Sequence, residues 1–314
     1  MGFDVVAIGR LGVDLYPLQT GVALEDVESF GKFLGGTAGN VAVAAALHDR
    51  RVALVSHTGD DAFGRYLIRE LERLGVDPRY VTPVADLPTP ITFCEIHPPD
   101  DFPITFYRYP KAPDMQVRAD ELDLEAIRDA EILWITVSGL SEEPSRSAHH
   151  AAVRAKEGSG TLVLDLDYRA DFWDGEDGAR ARISEVLPAV DVVVGNQTEC
   201  RVAVGESEPE AAAEALMSLG PRMAVVKRGP DGVYARRGEE TVAEPAIEVD
   251  IMNGLGAGDA FGGALCHGLL SGWDLRQTIR FANVAGAIVA SRLECSTAMP
   301  ETQEVEAAMG EITS

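Results

Sequence analysis

Asn253-Gly254-Leu255-Gly256-Ala257-Gly258-Asp259-Ala260-Phe261 sets glycine at every second position and then runs into a helical pattern reaching about residue 270. Small residues at 256–258 let successive backbone N–H groups turn toward one point, and a helix starting there adds the positive end of its dipole. Together they make an anion hole suited to a phosphoryl group in transfer. Asp259 falls in the first turn beside that hole, where a carboxylate can take a proton from an attacking hydroxyl. Phosphoryl transfer needs positioning and charge neutralisation more than covalent chemistry, and Gly256, Ala257, Gly258 and Asp259 offer both. The plainer alternative is a glycine-rich turn closed by an aspartate at a helix start. The helix that follows is expected to be amphipathic.

Outward from this stretch, apolar β-branched runs at residues 5–8, 52–56, 132–137, 162–166, 192–194 and 224–226 alternate with helical patterns. The helices fall at 39–48, 62–74, 145–156, 209–219 and 275–291. Continuous apolar runs fit strands buried on both faces, with helices as crossovers. The expected fold is therefore α/β, a doubly wound, mostly parallel sheet with helices on both faces. Two segments, about 13–34 and 91–109, read instead as antiparallel strands joined by proline-rich turns. Along Ile104-Thr105-Phe106-Tyr107-Arg108-Tyr109, one face would carry Thr105, Tyr107 and Tyr109, the other Ile104, Phe106 and Arg108. These pieces are expected to form a small β-sheet lid over the mouth of a single domain spanning residues 1–314, excluding competing water.

Composition narrows the function. A net charge of -24 argues against nucleic acid as a partner, because phosphate backbones need a basic surface. No apolar run approaches the roughly 20 residues of a membrane span. The first nine residues lack a basic secretory start and read as a strand, so a cytoplasmic protein without a membrane partner is expected. Cys94, Cys200, Cys266 and Cys295 are far apart, which disfavours disulfides and zinc. No G-x-x-x-x-G-K-[ST] occurs, and Gly9-Arg10-Leu11-Gly12 has the wrong spacing for a dinucleotide fingerprint.

A second glycine cluster, Gly35-Gly36-Thr37-Ala38-Gly39-Asn40-Val41-Ala42, opens the first long helix. Gly35 and Gly36 allow a sugar to approach the backbone, and Asn40 can both donate to and accept from hydroxyls. With both clusters in order, the chain resembles the ribokinase-like (PfkB) carbohydrate kinases from about residue 4 to 300. Residues 256–259 match that family's G-A-G-D signature, and residues 35–42 its N-terminal one, with Gly59 in step downstream. Asp49 departs from the pattern, standing where glycine or serine is usual.

The resemblance implies that Asp259 is the catalytic base and that the amides of Gly256, Ala257 and Gly258 form the anion hole. Asn196-Gln197-Thr198-Glu199 matches the family's N-x-x-E element, which implies that Glu199 helps organise Mg2+, through water, beside ATP. A helix-capping box at Asn196 and Glu199 is the structural alternative, and the two roles can coexist. Lys227-Arg228-Gly229-Pro230-Asp231-Gly232 resembles the next strand end and turn, so Lys227, Gly229 and Gly232 are expected near the nucleotide. Asn283 matches a position lining the adenine pocket. In several relatives a monovalent cation such as K+ binds near the positions of Asp250 and residues 290–296. Homodimers are the family's habit.

Asp14 matches the family's early aspartate that binds sugar hydroxyls. Arg108 on the expected lid and Arg169 just past a strand end bring planar forks that fit a carboxylate, so a small-molecule sugar acid is favoured over a neutral sugar. Pairing of Arg169 with Asp165, Asp167 or Asp171 is the structural alternative. A similar arginine pair serves the 2-keto-3-deoxygluconate kinases of the family. Gly9-Arg10-Leu11-Gly12-Val13-Asp14-Leu15-Tyr16-Pro17-Leu18-Gln19, Thr92-Phe93-Cys94-Glu95-Ile96 and Leu164-Asp165-Leu166-Asp167-Tyr168-Arg169 look like the branch acting in myo-inositol breakdown. That likeness implies phosphorylation by ATP of the 6-hydroxyl of 5-dehydro-2-deoxy-D-gluconate. Alternatives are 2-keto-3-deoxygluconate or fructose in the same class, and a non-catalytic sensor on the same fold.

Overall fold

The computed structural model describes residues 2–313. Its strands are β1 (Val5–Ile8), β2 (Gly12–Pro17), β3 (Phe30–Gly35), β4 (Val52–Gly59), β5 (Val76–Asp77), β6 (Val81–Val84) and β7 (Ile91–Cys94), followed by β8 (Ile104–Tyr107), β9 (Ile132–Thr136), β10 (Thr161–Asp165), β11 (Val192–Asn196), β12 (Met223–Lys227), β13 (Val233–Arg237) and β14 (Glu240–Glu244). The helices are α1 (Thr37–Leu47), α2 (Ala62–Arg73), α3 (Leu124–Asp129), α4 (Ser145–Lys156) and α5 (Glu176–Val186), then α6 (Gln197–Val204), α7 (Pro209–Ser218), α8 (Ala257–Leu270), α9 (Leu275–Ala290) and α10 (Thr302–Thr313).

The large sheet runs β14-β13-β12-β11-β10-β9-β1-β4-β5, with β6 also on β4. It is parallel from β12 to β5, and the β13–β14 hairpin is antiparallel. Side chains alternate between two cores, as a two-residue period requires. Val5 and Ala7 of β1 face α1, α8 and α9, whereas Val6 and Ile8 face α3 to α7. Strand order reverses at β1, with β4 on one side and β9 on the other. Open α/β sheets bind ligands outside the carboxyl ends of the strands at such a switch point.

Over that end lies a four-stranded sheet, β3-β2-β7-β8. Each hairpin is antiparallel as expected, but the two are joined by a parallel pairing of β2 with β7. Asp14, Thr92 and Phe106 stand in register on its inner face. Thr105, Tyr107 and Tyr109 are exposed, while Ile104, Phe106 and Arg108 are partly covered, so the two-face pattern holds.

Helix α8 corrects one expectation. It is not amphipathic, because every residue from Ala260 to Gly268 is buried. Glycine makes that possible: a Cβ on Gly263 would lie 2.3 Å from Ala44 Cβ, and one on Gly262 2.8 Å from the Trp134 ring. Among the described residues no helix is long and apolar enough to cross a membrane, and all four cysteines are free and buried.

Asp49 follows the end of α1 with φ +59. A side chain in this left-handed region costs about 1 kcal/mol relative to glycine. Asp49→Gly is therefore expected to stabilise the protein by about 0.5–1 kcal/mol, seen as a higher urea midpoint with kcat unchanged. A lower midpoint would show that the Asp49 side chain makes a contact worth more than the strain.

Candidate active site

The chain turns sharply into α8 at Gly256, whose φ is +82 and whose Cβ, if present, would sit 2.1 Å from Cys295 Sγ. The amides of Asp259 and Ala260 bond back to the Gly256 carbonyl at 3.0 and 2.9 Å. Among the described residues the amides of Ala257 and Gly258 take no partner, which leaves two donors at the positive end of a 14-residue helix. The loop before them is pinned by Asn253. Its Oδ1 accepts from the Leu255 amide at 2.9 Å, and its Nδ2 donates to the Leu293 carbonyl at 2.7 Å.

Asp259 stands in the first turn of α8, and Asn40 Nδ2, from α1, donates to its Oδ2 at 2.8 Å. Burial pushes the carboxyl up to about 6, helped by the Asp167 charge and opposed by the Asn40 bond, Lys227 and Arg169. Such a group is ionised at neutral pH yet basic enough to take a proton. Asn40 thus orients a carboxylate, a role its sequence context did not reveal.

Both glycines of the second cluster have a steric reason. A Cβ on Gly35 would overlap the Asp14 carboxyl at 2.0 Å, and Gly36, at φ +93, would meet the Arg10 carbonyl at 2.6 Å. Asp14 is buried, which pushes it up to about 7 against the pull of Arg10, with Asp259 adding to the rise. Its inner-face neighbours Tyr16, Thr92, Cys94, Ile104 and Phe106 line the same cleft as Gly36, Thr37, Asn40, Arg169, Leu255, Gly256, Asp259 and Cys295.

Lys227 ends β12 close to Gly258, its Nζ 3.0 Å from where a Cβ there would stand. Burial would lower the Lys227 ammonium's pKa, but Asp165, Glu199, Asp259 and Asp167 together raise it, so it stays charged. Asp165 is pushed up to about 8, mainly by burial. Asn196 and Glu199 form the capping box: Glu199 Oε2 accepts from the Asn196 amide at 2.7 Å, and Asn196 Oδ1 from the Glu199 amide at 2.9 Å. Among the described residues no cluster of three or more metal-ligating side chains occurs. A largely hydrated ion that leans on phosphates needs none, and Glu199 uses one oxygen for its cap and keeps the other.

The remaining expected residues fall as follows. Gly232, at φ +87, lets β14 pass: a Cβ would lie 2.1 Å from the Glu244 carbonyl. Gly229, at φ +57, is in open space. Asn283 Nδ2 donates to the Pro245 carbonyl at 2.7 Å, tying α9 to the loop after β14. The Ala290 carbonyl, in the segment where a monovalent cation was an expectation, accepts from the amides of Met252 and Asn253. Arg169 lines the cleft and pairs with Asp167 at 3.0 Å. Arg108 does not line it; its Nη2 pairs with buried Asp114 at 2.5 Å. Arg10, which the sequence reading passed over, lines the cleft instead.

Known proteins resemble the chain over nearly its whole length. The profile of the pfkB family carbohydrate kinase matches residues 3–302. A 5-dehydro-2-deoxygluconokinase from Shouchella clausii is 32% identical over 98% of this chain and 96% of its own. An E. coli protein described as a ribokinase II, solved with ATP and Mg2+, superposes with TM-score 0.90 at 22% identity, covering 98% of this chain and 99% of that one. Aminoimidazole riboside kinase from Salmonella enterica, solved with its riboside and an ATP analogue, gives TM-score 0.82 at 26% identity over 97% of this chain and 99% of that one. The chain is a carbohydrate kinase and belongs to the pfkB family.

Proposed function

We propose that the protein transfers the γ-phosphoryl group of ATP to the 6-hydroxyl of 5-dehydro-2-deoxy-D-gluconate, a step of myo-inositol breakdown. The observation that carries the chemistry is the carboxylate of Asp259, held by Asn40 beside the unpaired amides of Ala257 and Gly258. The choice of sugar acid is supported by the likeness to relatives of that name and by guanidinium groups in the cleft. Asp14, Gly35, Gly36 and Asn40 hold the sugar, and Asp259 takes the hydroxyl proton as the oxygen attacks phosphorus. The amides at 256–258 and the Lys227 ammonium receive the charge that develops. Asn196, Gly229, Gly232 and Asn283 border the nucleotide. Magnesium on the phosphates would neutralise part of their charge, with Glu199 receiving one of its waters. The small sheet acts as the lid.

An ADP-release assay over 5-dehydro-2-deoxygluconate, 2-keto-3-deoxygluconate and fructose tests the reading. The expected result is a kcat/KM for the first at least about 100-fold above fructose, since a site built for a buried charge rejects a neutral ligand strongly. Preference for fructose would refute it.

We also propose a homodimer through the outer face of the lid. Phe30, Phe93 and Tyr107 meet edge to face there, with ring centroids 5.4 and 5.2 Å apart, and Tyr107 and Tyr109 stay 59% and 82% exposed. Sedimentation should give a dimer that Tyr107→Glu dissociates; a wild-type monomer would dismiss the proposal.

A further inference from the structure

Two guanidinium groups close on one carboxylate at the wall of the cleft. Arg10 Nη2 lies 2.6 Å from Asp167 Oδ2, and Arg169 Nη2 3.0 Å from Oδ1. Arg10 leaves the end of β1 and Arg169 follows β10, so the pair flanks the end of β9 in the middle of the sheet. Both arginines line the cleft and share a single ion-pair partner, Asp167. Of the other acids around the cleft, burial pushes Asp14 and Asp165 up to about 7 and about 8, which weakens their negative charge at neutral pH, whereas Asp259, at about 6, stays mostly ionised.

Arg10 is also rigidly held. It is 5% exposed, its Nε donates to Ser138 Oγ at 3.3 Å, and its Nη2 donates to Thr37 Oγ1 at 2.5 Å. Its guanidinium carbon lies 5.9 and 5.6 Å from the ring centroids of Phe106 and Phe172. Nη1 takes no partner among the described residues, and Arg169 Nε is likewise unpartnered. A fork fixed by packing on one side and open on the other recognises a planar anion at low entropic cost. Arg108 also packs on Phe172, at 5.1 Å from the ring centroid, but differs in its ion pairing and its place. It forms a one-to-one pair with Asp114, which is itself fully enclosed, and does not line the cleft.

We propose that Arg10 is a specificity-determining residue: with Arg169, and in place of Arg108, it holds the carboxylate of the sugar acid, while Asp167 fixes both forks. This rests on the sugar-acid reading above. Phe106, on the inner face of the lid, covers the Arg10 plane and so couples lid position to the anion site.

The test compares kcat/KM for 5-dehydro-2-deoxygluconate with that for its neutral counterpart bearing CH2OH at C1, in wild type, R10Q, R10K and R108Q. The wild type should favour the acid. R10Q should cut the acid-to-neutral ratio on the order of 100-fold, chiefly through KM for the acid, with the KM for ATP unchanged. R10K keeps a cation opposite Asp167 and so guards against misfolding, but it loses the fork and should lower the ratio by about 10-fold. R108Q should keep the wild-type ratio. The inference is overturned if R10K or R10Q retains that ratio, if either loses acid and neutral turnover equally, or if R108Q abolishes the preference. A wild type indifferent to the carboxylate would instead sink the sugar-acid reading, and the inference with it.

Discussion

Asp259→Asn should lower kcat by about 10²–10⁴-fold, the usual contribution of a positioned base, while the affinity for nucleotide changes little. The carboxamide fills the same space and can still accept from Asn40 Nδ2, so the site keeps its shape. What disappears is a group able to hold the hydroxyl proton. The pH profile gives an independent signature. With Asp259 pushed up to about 6, wild-type kcat should rise with pH through about 6 and then level off, because only the ionised form accepts a proton. That limb should be absent from the variant's residual activity. Stability should move oppositely. A carboxyl whose folded pKa lies above its unfolded value favours the protonated folded state, so its contribution falls as pH climbs from about 4 through about 6. Asp259→Asn removes that fall and should melt at or above the wild-type temperature at pH 7. Near-normal turnover by the variant would refute the assignment of the base.

Gly256→Ala should be nearly as damaging, by a different route. The new methyl group would stand 2.1 Å from Cys295 Sγ and force a side chain into φ +82. The turn must shift, and the amides of Ala257 and Gly258 shift with it. Loss of one aligned donor to a developing negative charge typically lowers kcat about 10²–10³-fold. Adding Cys295→Gly removes the collision but not the backbone strain of about 1–2 kcal/mol, so partial recovery of kcat is expected. Full activity of Gly256→Ala would mean that the amides play no part in the reaction.

Much of this was legible because it is local. The run at 5–8 became β1 to the residue, and residues 145–156 became α4, since both follow from periodicity within a short window. Gly256, Gly258 and Asp259 could be read for the same reason: turn, helix start and acid are neighbours in sequence. The contacts around the cleft that escaped are non-local. Asn40 and Asp259 are 219 positions apart, and Arg10 and Asp167 are 157 apart. A lone arginine after a strand looks like a solvated end until the fold supplies its carboxylate, while Arg108 looked available until Asp114 came to meet it. The all-round burial of α8 also lay beyond periodicity, because Gly262 and Gly263 give no apolar signal yet admit Trp134 and Ala44. The β13–β14 hairpin escaped because its charged residues, Arg236, Arg237, Glu240 and Glu244, mask the apolar alternation of an edge.

A crystal structure with ADP, aluminium fluoride, Mg2+ and 5-dehydro-2-deoxygluconate tests the central geometry most directly. The account predicts the planar fluoride within hydrogen-bond reach of the Ala257 and Gly258 amides, and the sugar 6-oxygen about 2.6–3.2 Å from the Asp259 carboxylate. Fluoride bound away from the start of α8, or a 6-oxygen whose nearest acceptor is some other group, would contradict it.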